Sequence, residues 1–202
     1  MRLEPETSQL VLVDYQLRLM PAMQDGPAVV ANAVRLVQAA ALLQVPVFAT
    51  EQNPSKLGAS VPELGEALQR VQARVLSKMQ FSAVEEGLGE WLRPQPPAVQ
   101  GNARSLPKHL QKPVETRRES IVLAGCEAHV CLLQTAIDLL EDDFEVWVVT
   151  DACSSRTERN RDAAFDRLAA AGVELVTTEM VAFEWLRTAE HPAFKAVMAL
   201  IK

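Results

Sequence analysis

Short, continuously apolar runs alternate along the chain with longer stretches whose apolar residues recur at helical spacing. QLVLVD (9–14), VPVFAT (45–50), ARVLSK (73–78), SIVLAG (120–125), FEVWVVTD (144–151) and VELVTT (173–178) read as strands. Runs of Val, Ile and Leu without polar alternation point to strands buried on both faces, as in a parallel sheet. GPAVVANAVRLVQAAALLQ (26–44) reads as a helix with proline in its first turn. NPSKLGASVPELGEALQR (53–70) holds turn signals and then a short helix, and SAVEEGLGEWL (82–92) a short helix weakened by glycine. HVCLLQTAIDLLEDD (129–143) and TERNRDAAFDRLAAAG (157–172) are helical, the second closed by glycine. C-terminal helices occupy 179–202.

No repeat or shift of composition divides the chain. The pattern predicts one α/β domain over 1–202, a three-layer α/β/α arrangement around a doubly wound parallel six-stranded sheet of the Rossmann-like kind. The proline-rich, polar segment 93–119 reads as a surface loop excursion, with a short helix near 106–111. In such sheets ligands bind beyond the carboxyl ends of the strands, where strand order reverses. Asp14, Lys78 and Gly125 end predicted strands, and GCEAHVC (125–131) leads from the last of them into a helix.

Composition narrows the partners. The 202 residues are 49% hydrophobic and 23% charged, with a net charge of −6. That balance suits a soluble globular chain and gives no electrostatic reason to expect nucleic acid or an anionic membrane as partner. Cysteines at 126, 131 and 153 are too few, and odd in number, for a disulfide framework, so a reducing, cytoplasmic setting is expected. The first residues show no secretory signal, and no apolar run is long enough to span a bilayer.

The turn GCEAHVC admits four readings. Cys126, His129 and Cys131 are soft metal ligands, but their spacing lacks the paired elements of zinc sites. A redox pair needs two residues between cysteines, and here there are four. Cys126, at the strand end, reads as a buried packing residue. Cys131 falls in the first turn of a helix, where partial positive charge and unpaired N–H groups favour thiolate and can hold an oxyanion. A nucleophilic thiol needs a base. Asp14 suits that role if the first and fourth predicted strands are neighbours, and Lys78 would compensate a buried carboxylate and favour anionic sulfur. Asp14 as a cap or turn residue and Lys78 as a solvated strand end remain open on this evidence.

VLVDYQ with Asp14, VLSKMQFSA with Lys78 and GCEAHVCLLQTAIDLL with Cys131, followed by TDACSSR (150–156), together resemble the isochorismatase-like cysteine hydrolase superfamily. TEQNPSKLGASVPELGEAL (50–68) brings the likeness closest to its isochorismatase domain-containing subfamily. The resemblance implies the isochorismatase-like hydrolase fold, with Cys131 as nucleophile, Asp14 as general base and later acid, and Lys78 as the charge that steadies both. It implies a cis peptide at Cys126–Glu127 and an oxyanion hole built from the backbone N–H groups of Glu127 and Cys131. The reaction implied is hydrolysis of a small amide or related C–N bond through a thioester. A module that keeps the fold without catalysis is the rival reading.

Related nicotinamidases hold a metal with an Asp-x-His set after the second strand. Here that region reads ATEQNPSK, so no metal and no cofactor are expected. Isochorismatases proper lack the cysteine, which argues against that activity. Tyr15, Gln16, Gln52 and Phe81 are expected to line the pocket and touch a small-molecule substrate. The resemblance also implies a homo-oligomer, and the apolar residues Phe183, Trp185, Phe194 and Met198 either pack on a neighbouring subunit or finish this chain's own core.

Overall fold

In the computed structural model, residues 2–94 and 117–202 are described. The expected excursion at 93–119, with its short helix, falls largely outside them. The strands are β1 (Ser8–Val13), β2 (Val47–Gln52), β3 (Arg74–Lys78), β4 (Ser120–Gly125), β5 (Glu145–Val149) and β6 (Glu174–Val176). They form one sheet in the order β3-β2-β1-β4-β5-β6, with every pairing parallel. β1 and β4 lie at its centre and are buried at every residue. The chain moves outward from β1 to β3 and then returns to place β4 against β1. The point of reversal therefore lies between the carboxyl ends of those two strands.

The helices are α1 (Gly26–Leu42), α2 (Pro54–Leu57), α3 (Pro62–Arg70), α4 (Leu88–Leu92), α5 (Leu133–Glu141), α6 (Glu158–Ala170), α7 (Thr178–Leu186) and α8 (Phe194–Ile201). α1 packs with α3, α7 and α8, while α5 packs with α6, which gives the two covering layers. α6 and α7 start at side-chain caps, Thr157 accepting from the Asn160 N–H and Thr177 from the Met180 N–H.

Predicted and observed elements differ mainly at their ends. β2 begins at Val47 rather than 45, because Pro46 has no N–H to add to the ladder. It also runs on to Gln52, which pairs with Lys78. The helix expected from 129 opens as a wide π-type turn, Ala128–Leu132, before α5. Of the four C-terminal apolar residues left between a subunit contact and this chain's own core, two belong to the core. Trp185 is buried, with its indole N–H donating to Ser8 Oγ at 3.0 Å, and Phe194 packs half-buried against the core. Met198 is half-buried, which leaves Phe183 as the exposed member of the set.

One close approach fixes the central pair. Val13 and Gly125 are register partners. A Cβ placed on Gly125 would stand 2.3 Å from the Val13 carbonyl oxygen, so no other residue fits there without moving β1. Both strands end next to that contact, and Asp14 and the turn GCEAHVC follow at once.

Candidate functional site

Asp14 is the first residue beyond β1. Its backbone is left-handed, φ 57°, a region Asp tolerates better than most residues. Its N–H donates to the Thr50 carbonyl at 3.1 Å, so the turn out of the sheet is still tied to β2. Thr50 also reaches the side chain, its hydroxyl donating to Asp14 Oδ1 at 2.6 Å. Oδ2 accepts from Lys78 Nζ at 2.8 Å, and both side chains are fully withdrawn from solvent. A buried ion pair persists only when its remaining polar atoms are satisfied. Here they are.

Lys78 ends β3 and spans the width of β2 to reach Asp14. Its ammonium carries three N–H donors. The oxygens around it are Asp14 Oδ2, Gln52 Oε1 at 2.7 Å, the Phe81 carbonyl at 3.0 Å and the Gln80 carbonyl at 3.3 Å. The turn that supplies those carbonyls is held by Glu86, whose Oε1 accepts from the N–H groups of Met79 and Gln80. Those bonds hold the Glu86 carboxyl below the usual carboxylate range.

Cys131 stands in the π-type turn after β4, nearly buried, with Sγ 4.0 Å from Gln52 Oε1. The charges of Asp14 and Lys78 both act on the sulfur, in opposite directions. Residues remote in sequence thus meet at the carboxyl ends of β1, β2, β3 and β4. The thiolate expected from the helix start and the lysine is opposed by the burial of the site. Burial, and then the charge of Asp14, push the Cys131 thiol up to about 12, with Lys78 opposing.

The turn that carries Cys131 is firmly tied to the segment after β5. The Cys126–Glu127 peptide is cis. The Ala128 N–H donates to the Ser154 carbonyl at 2.7 Å, and the N–H groups of Val130 and Leu132 turn back to the Glu127 carbonyl. The Glu127 carboxylate receives both the backbone N–H of Arg156, at 3.1 Å, and its guanidinium, at 2.8 Å. His129 meets Ser155 Oγ at 2.9 Å. Among the described residues no three His, Cys, Asp or Glu side chains gather as a metal set. Cys126 is buried and its thiol is raised well above its ordinary value, chiefly by burial, in keeping with a packing role.

Of the residues expected to line the pocket, Gln52 alone reaches Lys78 and Cys131 with its side chain. Tyr15 is buried, and its hydroxyl donates to the Ala152 carbonyl. Gln16 is buried and works as scaffold. Its Oε1 accepts the Gln52 N–H at 2.8 Å, while its Nε2 donates to the Gln52 and Gly58 carbonyls. Phe81 offers its carbonyl to Lys78, and its ring is 52% exposed. Two participants were missed. Thr50 reads from sequence as an ordinary strand former, and only the register opposite Val13 brings its hydroxyl to Asp14. Arg156 stood in the quoted TDACSSR without a role, because its partner Glu127 lies on another turn.

The isochorismatase domain family matches this chain over residues 8–98 and 102–180. The chain belongs to the isochorismatase domain family. Family relatives run the length of the chain. Isochorismatase domain-containing protein 2 of Homo sapiens is 38% identical over 202 residues, which is all of this chain and 86% of that protein. Among solved structures, one described as MAR1 ribonuclease from Caenorhabditis elegans superimposes with a TM-score of 0.85 at 32% identity. It covers all of this chain and 92% of its own. The YcaC gene product of Escherichia coli, described as an octameric hydrolase of unknown specificity, gives a TM-score of 0.77 at 23% identity, over 98% of this chain and 95% of its own. The isochorismatase family is a hydrolase family, and its α/β fold with an all-parallel sheet is the one described above.

Proposed function

We propose that this chain is a cysteine hydrolase of small amides or related C–N bonds, working without a metal through Cys131, Asp14 and Lys78. The observation that carries the reading is the buried Asp14–Lys78 pair, 2.8 Å apart, beside the nearly buried sulfur of Cys131. Holding two charges in the interior is costly, and a purely structural role is filled as well by apolar residues.

The steps follow from the protonation states. Because the resting thiol is neutral, its proton passes to Asp14 as Sγ attacks the carbonyl carbon, not beforehand. The tetrahedral oxyanion is met by the backbone N–H groups of Glu127 and Cys131. When the C–N bond breaks, Asp14 returns its proton to the departing nitrogen, which leaves a thioester on Cys131. Water then attacks the thioester, gives up a proton to Asp14, and releases the acid. That proton passes back to the sulfur. Lys78 keeps Asp14 in place throughout and offsets its charge. After β2, Glu51 is engaged by the N–H and hydroxyl of Ser60, and the Asn53 N–H by the Lys78 carbonyl, so that segment serves as scaffold.

The test is ammonia or amine release from a panel of small amides by the wild-type chain and by Cys131→Ala. Turnover of at least one amide, abolished in the variant with the fold intact, is the expected result. Equal turnover by both proteins would overturn the assignment. The description of the C. elegans structure as a ribonuclease supplies a second reading, and RNA belongs in the same panel. RNA cleavage that survives Cys131→Ala would favour that reading instead.

A further inference from the structure

We propose that Glu86 is a positioning residue that locks the strand end carrying Lys78 against the helix that follows Cys131. Its bearing on catalysis rests on the cysteine hydrolase reading, whereas the bonds it makes stand apart from that reading.

β3 is an edge strand, with no further strand to take the N–H groups that face away from β2. Just past Lys78 a side chain fills that place. Glu86 Oε1 accepts from the Met79 N–H at 2.9 Å and from the Gln80 N–H at 3.0 Å. Among the described residues it is the only partner of those two groups. Each N–H shares a planar peptide with a carbonyl that points the opposite way. The carbonyl joined to the Met79 N–H is that of Lys78, and it accepts from the Asn53 N–H at 2.8 Å. The carbonyl joined to the Gln80 N–H is that of Met79, and it accepts from Gln52 Nε2 at 2.7 Å. Both planes are thus bonded from two sides, inward to the end of β2 and outward to one carboxylate. A plane bonded on one side pivots about that bond, and a plane bonded on both sides does not.

Glu86 is itself anchored. It ends a single helical turn, Val84–Glu86, which is closed by Gly87 in a left-handed conformation, φ 94°. The Leu88 N–H returns to the Ala83 carbonyl at 3.1 Å. Ala83 is buried, and its N–H donates to Thr135 Oγ1 at 3.0 Å. Thr135 is buried in the first turn of α5, the helix that continues from the π-type turn holding Cys131. The backbone of Lys78 is therefore linked through Glu86 and its helical turn to the helix of the nucleophile. The same loop supplies the Phe81 and Gln80 carbonyls to the Lys78 ammonium, at 3.0 and 3.3 Å. Displacing a reacting or steadying group by about 1 Å can cost about 100-fold in rate, so a bond that holds the lysine backbone bears on turnover without touching substrate.

The experiment compares Glu86→Asp, Glu86→Gln and Glu86→Ala with wild type. Asp keeps the charge but falls a methylene short, while Gln keeps the reach and an accepting oxygen without the charge. One readout is the proton–nitrogen NMR signal of the Lys78 ammonium, whose protons are shielded from water in wild type and so exchange slowly. The other is steady-state kinetics on an amide that the panel identifies. Glu86→Asp and Glu86→Ala are expected to lose the ammonium signal and at least about tenfold in kcat, with KM within about threefold, while Glu86→Gln keeps the signal and stays within about threefold of wild type. Melting temperatures report folding, and a merely structural role would lower them while leaving the ammonium signal of the folded protein unchanged. A Glu86→Asp protein that matches wild type overturns the proposal, because reach then does not matter. A Glu86→Gln protein that falls as far as Glu86→Ala overturns it too, because charge rather than position is then at work. Should Glu86→Ala fail to fold, Glu86→Asp and Glu86→Gln decide between themselves. The NMR readout needs no substrate. A wild-type protein that hydrolyses no amide would remove the hydrolase reading, and the ammonium signal of the folded variants would then decide the role of Glu86 alone.

Discussion

Lys78 Nζ lies 2.8 Å from Asp14 Oδ2, and neither side chain touches solvent. The two residues belong to strand ends separated by an intervening strand, so their contact forms only when the register of β1, β2 and β3 is correct. Removing one partner strands the charge of the other. Lys78→Met is expected to cost about 3–5 kcal/mol of stability as well as turnover. Urea unfolding followed by circular dichroism measures it. A cost below about 1 kcal/mol, the range of exposed pairs, would mean that the pair is hydrated in solution.

Asp14→Asn isolates the chemistry from the backbone. Asn accepts the left-handed conformation at φ 57° as readily as Asp, so the turn after β1 is kept. It cannot take the thiol proton or return it to the leaving nitrogen. Turnover is expected to fall by about 10²–10⁴, with KM changed little. Steady-state kinetics on whichever amide the panel identifies would check this. A variant within a few fold of wild type would remove Asp14 from the proton path.

The thiols make the fold sensitive to alkali. Burial pushes both Cys131 and Cys153 up to about 12. In the unfolded chain a thiol ionises near about 8.5. Below that value the folded and unfolded forms hold the same thiol protons, and stability does not change. Above it the unfolded chain has shed protons that the folded chain keeps, so stability falls as pH rises toward about 12. The slope approaches about 1.4 kcal/mol per pH unit for each thiol. Urea midpoints measured on the alkaline side of neutrality should drop steadily, and Cys153→Ala should flatten the decline. A flat profile in wild type would show that these thiols are hydrated.

Gly125→Ala is expected to prevent folding or to cost well over about 3 kcal/mol, because its methyl group meets Val13 backbone at 2.3 Å. Soluble expression and thermal melting report the outcome. A stable Gly125→Ala protein would mean that β1 and β4 have room to separate at their ends.

Much of this architecture is legible in the amino-acid order. Val-rich runs such as SIVLAG have no polar face to place in water, so their burial and parallel pairing follow directly. Asp14, Lys78 and Cys131 stand out as polar groups at or after the ends of apolar strands, but the pattern alone leaves Asp14 open as a cap and Lys78 as a solvated strand end, and it is the family resemblance that singles them out. Their companions are legible only in part. Gln52 read as lying beyond β2, and its presence in the ladder depends on pairing with Lys78. Thr50 is chemically unremarked until the register opposes it to Val13. The surroundings of the sulfur are hidden for a related reason. Sequence offers a nearby lysine, but only the fold shows how burial and Asp14 act against it.

β3 forms one edge of the sheet, and most of its residues remain partly open to water. Strands of that kind usually open first, and their amides exchange fastest with solvent. This one ends in a lysine fastened across β2 to the centre of the molecule. Local opening of the ribbon would have to pull an ammonium away from a buried carboxylate. The outermost strand is therefore kept shut from its last residue, and hydrogen exchange along it reports the integrity of the Asp14–Lys78 pair.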